Sequence, residues 1–119
     1  MIKSYSDLEV FKLSYNLAME VFKIAKNFPN DEKYSLTGQI IRSTRSISAN
    51  IAEGFARKIY EAEFKKHLVY ATGSLEESKV WINFAFDCQY ITKVQFDFFE
   101  SKTDELGAKL YKLYTNWKS

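Results

Sequence analysis

Apolar residues recur along the chain at steps of three and four, the spacing of one face of an α-helix, in four blocks. The first block, residues 7–27, carries two adjacent stripes. One is Leu8, Phe11, Tyr15, Ala18, Phe22 and Ala25; the other is Val10, Leu17, Val21, Ile24 and Phe28. Ser6 and Glu9 have capping-box spacing at its start. Phe28-Pro29-Asn30-Asp31 breaks the period, and Asn30 or Asp31 is placed to cap a second helix over 31–57. Its inner stripes, Leu36-Ile40-Ser43-Ile47-Asn50-Gly54 and Ile41-Thr44-Ser48-Ile51-Phe55, are rich in small and polar side chains. The third helix, 61–88, has Phe64, Leu68, Ala71, Leu75, Ile82 and Ala85 on one line, and Tyr70, Ser74, Glu77, Trp81, Phe84 and Cys88 on another. The fourth, 93–117, opens on the capping-box pair Thr92 and Gln95 and carries a seam of Phe96, Phe99, Leu106, Leu110, Leu113 and Trp117.

Helices of roughly 20–28 residues are about 30–40 Å long. Short connections between such helices make sequence neighbours antiparallel. The expected fold is all-α: a left-handed, up-down-up-down antiparallel four-helix bundle, built as one domain over residues 1–119. Composition agrees and excludes alternatives. Four Gly and one Pro leave little material for the tight turns of an all-β protein. One Cys and one His exclude a disulfide framework and the familiar metal sites, so neither a metal nor another cofactor is expected. The N-terminal residues lack a signal-peptide pattern, no window approaches about 20 apolar residues, and a lone thiol suits a reducing compartment. A cytoplasmic protein without membrane contact is the expectation.

Some polar groups do not suit a plain bundle. Asn50 stands between Ile47 and Gly54, and Glu77 between Ser74 and Trp81. A buried amide or carboxylate without partners costs several kcal/mol, on the order of 2–7. Ser46, Asn50 and Glu77, with Arg42 beside them, are therefore expected to form one polar network that fixes the register of helices two and three. Catalysis would have to rest on Glu77 and Arg42, with no second acid or histidine to share acid–base work, so no catalytic residue is assigned. Gly54 and Gly73, each inside a helix, are read as points of close backbone approach. His67 is read as solvated or partly packed, and Cys88 as a small core residue.

Charge adds a second candidate feature. The net charge is only +2. Alternating topology, however, brings residues 1–12, 53–67 and 108–119 to one end, where nine basic side chains meet five acidic ones. Arg57, Lys58, Lys65, Lys66, Lys112 and Lys118 are there, interleaved with Tyr60, Phe64, Tyr111, Tyr114 and Trp117. Basic groups contact phosphates and aromatic rings stack on unpaired bases. Arg42 and Arg45, outward on the second helix, are added as candidate nucleic-acid contacts.

The run Gln39 to Arg57, QIIRSTRSISANIAEGFAR, resembles the signature of the four-helix-bundle proteins encoded in 23S rRNA intervening sequences, also called the S23 ribosomal protein family. Phe64, Leu68 and Ala71 followed by Gly73-Ser74-Leu75-Glu76-Glu77, the opening Asp7-Leu8-Glu9-Val10-Phe11 and the Asn27-Phe28-Pro29 turn agree with it. The resemblance implies an up-down bundle that assembles into a homopentameric ring. It also implies nucleic-acid association, as in the accessory variability determinant proteins of similar fold. The family often has adjacent basic residues where this chain has Ile41 and Arg42; here Arg45, one turn later, supplies the second charge. The expected function is a non-enzymatic homo-oligomer associated with RNA. The alternative is a scaffold that recruits a protein partner through its helix faces.

Overall fold

The computed structural model, described over residues 2–118, contains α1 (Glu9–Ala25), α2 (Leu36–Phe55), α3 (Glu61–Asp87) and α4 (Lys93–Asn116). Two starts differ from the sequence expectation. The Ser6–Glu9 box does not form. A 3-10 turn over Tyr5–Asp7 precedes α1 instead, and the Asp7 carboxylate accepts the backbone N–H groups of Lys3 at 2.8 Å and Ser4 at 3.1 Å. Those donors, Lys3 first, hold the Asp7 carboxyl below the usual range. The second helix begins at Leu36 because residues Asn30–Glu32 form another 3-10 turn behind Pro29. Neither Asn30 nor Asp31 caps it. The cap is the Glu32 carboxylate, which accepts the Ser35 hydroxyl at 2.6 Å, the Leu36 N–H at 3.3 Å and the Tyr90 hydroxyl at 2.8 Å.

The other boundaries follow local chemistry. Thr92 and Gln95 form their capping box, with bonds of 3.1 and 2.8 Å. Beyond α3, Gln89 takes a left-handed φ of 65°, and the Tyr90 N–H reaches back to the Ala85 carbonyl at 2.8 Å, the six-to-one bond of a Schellman ending. This reversal carries Tyr90 onto Phe28, ring centroids 5.5 Å apart, and onto Glu32.

Each helix packs on its sequence neighbours, and α1 meets α4 to close the square. Residue pairs give the directions. Lys79 pairs with Asp104 at 3.5 Å while Lys65 lies over Tyr114, so α3 and α4 run antiparallel. Glu9 pairs with Lys109 at 2.7 Å, near the start of α1 and the end of α4. Between α2 and α3, Ser43 meets Ser78, Ser46 meets Ser74 and Asn50 meets His67. The core holds Val21, Ile40, Ile47, Ile51, Phe64, Leu68, Leu75, Phe99, Leu106 and Leu110.

The wide apolar faces resolve differently from the sequence pattern. On α1 the buried line is Val10, Ser14, Leu17, Val21 and Ala25. Phe11 and Phe22 are half-buried, and Tyr15 is 54% exposed. On α3 the first line is buried, but Tyr70, Glu77, Phe84 and Cys88 of the second face solvent. Cys88 is thus a surface residue, because it follows the last turn of α3 on the outer line.

Candidate functional site

The α2–α3 seam is built from small hydroxyl side chains, which let two helices approach closely while each hydroxyl finds a partner. Ser78 donates to Ser43 at 2.8 Å, and Ser74 donates to Ser46 at 3.0 Å. Ser14 of α1 bonds Ser48 at 2.8 Å on the neighbouring seam. Asn50 donates from Nδ2 to the Ser46 carbonyl at 2.9 Å and lies 3.2 Å from Ser46 Oγ. Ser46 and Asn50 therefore do share a network.

Glu77 does not belong to it. It lies on the exposed face of α3, where its carboxylate accepts the Trp81 indole N–H at 3.0 Å. Arg42 is also exposed and folds back toward Gly38 of its own helix. The third member is His67, 5% exposed. Its Nδ1 is 3.4 Å from Asn50 Oδ1 and its Nε2 is 2.9 Å from Arg57 Nη1. A guanidinium only donates, so Nε2 accepts and Nδ1 carries the proton toward Asn50. Glu53 Oε2 lies 3.9 Å from Nδ1.

Sequence reasoning missed His67 because lysines flank it. Gly54 held the signal. Ser43 opposes Ser78; eleven residues on along α2, and eleven back along α3, Gly54 opposes His67. A Cβ at Gly54 would stand 2.5 Å from His67 Cβ, so this position admits only glycine. Gly73 has no such reason: a Cβ there would meet nothing within 4 Å, and it lies on the outer face.

Arg57 links this cluster to the basic end. Its guanidinium also lies 4.0 Å from Glu63, which pairs with Lys66 at 3.2 Å. Lys58 stands over Phe55 at 4.4 Å, and Lys65 over Tyr114 at 5.3 Å. Trp117 packs edge-on against Phe64 at 4.8 Å and beside Phe55 at 6.3 Å, carrying Lys118 to the same end. Tyr60, 64% exposed, caps the turn. Lys112 lies five residues before Trp117 and lines a shallow groove between α1 and α4. Of the basic residues expected to meet nucleic acid, Arg57, Lys58, Lys65, Lys66, Lys112 and Lys118 therefore gather at one end. The Lys65 side chain is largely covered, 19% exposed, and paired with Glu61 at 3.4 Å. Arg42 and Arg45 are not part of this group. They sit about 22 and 18 Å back along α2 at 1.5 Å per residue, and Arg45 lies over Phe22 at 5.5 Å.

Among the described residues no three His, Cys, Asp or Glu side chains converge in a way that would hold a metal, and no helix is long and apolar enough to cross a membrane. The chain matches the family described as 23S rRNA-intervening sequence protein over residues 6–112. It is similar to the crystal structure of a protein of unknown function from the S23 ribosomal protein family of Bacteroides thetaiotaomicron VPI-5482. The identity is 26%, the TM-score is 0.81, and the match covers 90% of this chain and 96% of that one. No curated protein matches the chain.

Proposed function

This chain belongs to the 23S rRNA-intervening sequence protein family, and from that premise we propose that it is a cytoplasmic, non-enzymatic homo-oligomer, a pentameric ring, that associates with RNA through its basic end. The observation that carries the RNA reading is that Arg57, Lys58, Lys66 and Lys118 share one end of the bundle with exposed Tyr60 and with the packed rings of Phe55, Phe64 and Trp117. Cations there meet phosphates, and Tyr60 offers a stacking face. The ion pairs of Arg57 and Lys66 with Glu63 are half-exposed, so phosphate can replace the carboxylate at little cost. A ring places several copies of this end side by side, and the potentials add.

A non-catalytic role is supported by the use of His67, whose ring nitrogens both face protein partners inside the seam. A filter or mobility-shift titration with single-stranded and structured RNA tests the proposal. Affinity should fall steeply with salt, and Lys66→Glu with Lys118→Glu should lower the salt slope by about one for each phosphate left without its cation. No binding at low salt by an intact assembly would overturn it.

A protein-recruiting scaffold is the second reading, favoured by an aromatic ladder in which exposed Tyr5 and Tyr15 flank half-buried Phe11, with centroid spacings of 4.7 and 5.9 Å. A defined protein co-purifying from the native host without nucleic acid would support it over the first.

A further inference from the structure

Two faces on opposite corners of the bundle are apolar, exposed and opposite in charge. On α1, Lys12, Tyr15, Met19 and Lys23 form one outward line; Tyr15 is 54% and Met19 41% exposed. On α3, Glu76, Val80, Phe84 and Asp87 form another; Val80 is 49% and Phe84 53% exposed. In each line two charges lie eleven residues apart, about 16.5 Å along a helix, with two apolar side chains between them. Lone exposed apolar residues are ordinary, but a helix stripe of them bounded by charge is the anatomy of an interface.

We propose that the α1 line of one copy packs against the α3 line of the next. This rests on the homo-oligomeric reading above and assigns the surfaces that would build the assembly. Lys12 then faces Glu76, Lys23 faces Asp87, and Tyr15 and Met19 interleave with Val80 and Phe84. The register follows from symmetry. A rotation axis along the bundles keeps every copy pointing the same way. α1 and α3 of one bundle are parallel because each runs antiparallel to its shared neighbours. The contact between copies is therefore parallel, and the equal charge spacing brings both ends into register. The two surfaces differ, so the contact is heterologous: each copy offers one face to each neighbour, and repetition closes a ring when the rotation permits. Lys23 and Glu76 now make only exposed local pairs, with Glu20 at 3.4 Å and Lys79 at 3.5 Å, which readily exchange for partners across an interface.

Charge reversal tests this with sedimentation velocity and light scattering, folding being checked by circular dichroism. Glu76→Lys with Asp87→Lys should weaken assembly by at least about tenfold, as should Lys12→Glu with Lys23→Glu. The chain carrying all four reversals should reassemble, because each reversed line again meets its opposite. Assembly unaffected by either pair of reversals, or a four-fold variant that stays monomeric while folded, overturns the assigned faces while leaving the homo-oligomer itself standing. A monomeric native chain overturns both.

Discussion

Gly54→Ala tests the α2–α3 seam most directly. The added Cβ would lie 2.5 Å from His67 Cβ and 3.1 Å from Phe64 Cδ1. Carbon atoms rest at about 3.5–4.0 Å, so the helices must separate by about 1 Å. Rotamers offer no escape, since a Cβ is fixed to its backbone. Overpacking of this kind costs about 1–3 kcal/mol. Separation also lengthens the Arg57–His67 bond of 2.9 Å and the His67–Asn50 contact of 3.4 Å. Against this stands the helix propensity of Ala over Gly, up to about 1 kcal/mol. The expected net loss is about 1–2 kcal/mol, measured by urea unfolding followed by circular dichroism at fixed protein concentration. Gly73→Ala is the control: with open space around it, the same change should stabilise the subunit by up to about 1 kcal/mol. His67→Gly should relieve part of the Gly54→Ala penalty, whereas His67→Ala, which keeps the clashing atom, should not. A Gly54→Ala protein as stable as the native chain would refute the account of the seam.

The remaining predictions concern hydrogen bonds. Ser78→Ala alone should cost about 1 kcal/mol by removing the donor to buried Ser43, which keeps only its 3.4 Å bond to the Ile40 carbonyl, while Ser43→Ala with Ser78→Ala should cost less than the two changes summed; an additive thermodynamic cycle would show that the 2.8 Å contact carries no coupling. The Tyr90 phenol, held neutral by its bond to Glu32, should ionise at about 12, against 10.0 ordinarily. Its folded pKa is the higher one, so this contribution is whole below pH 10 and lost as pH rises toward 12. An ultraviolet titration in which Tyr90→Phe removes no late-ionising phenol would contradict the bond. Glu32 shifts the other way: the Ser35 hydroxyl, then Tyr90 and the Leu36 N–H, lower its pKa, so its contribution is present above the ordinary value of 4.5 and lost as pH falls below it. Since the chain has one histidine, a nitrogen-15 spectrum at neutral pH reads His67 without ambiguity. Nδ1 should carry the proton and Nε2 none; an Nε2–H tautomer would contradict donation from Arg57.

Much of the fold was legible in the sequence because helical periodicity is local. The spacing of Phe64, Leu68, Ala71, Leu75, Ile82 and Ala85 determines a helix and its core line, and Thr92 with Gln95 determines where the last helix begins. The sequence also marked Ser46 and Asn50 as partners, since they lie one turn apart on one face. Where two apolar lines lay side by side, the pattern did not say which faced inward. The rotation of a helix about its own axis is decided by what its neighbours present. That is why Tyr70, Glu77, Phe84 and Cys88 came to the surface and Glu77 met Trp81 instead of Asn50.

The burial of His67 needed the third dimension too. Among lysines it reads as solvated, and only the antiparallel register of α2 and α3 sets it on Gly54, with Asn50 and Arg57 on its two nitrogens. The sequence by itself determined how many α-helices form and which apolar lines each one offers, because those depend on neighbours within a turn or two. The tertiary structure decided which leftover faces meet solvent and which polar groups meet each other, because those depend on side chains brought together from distant parts of the chain.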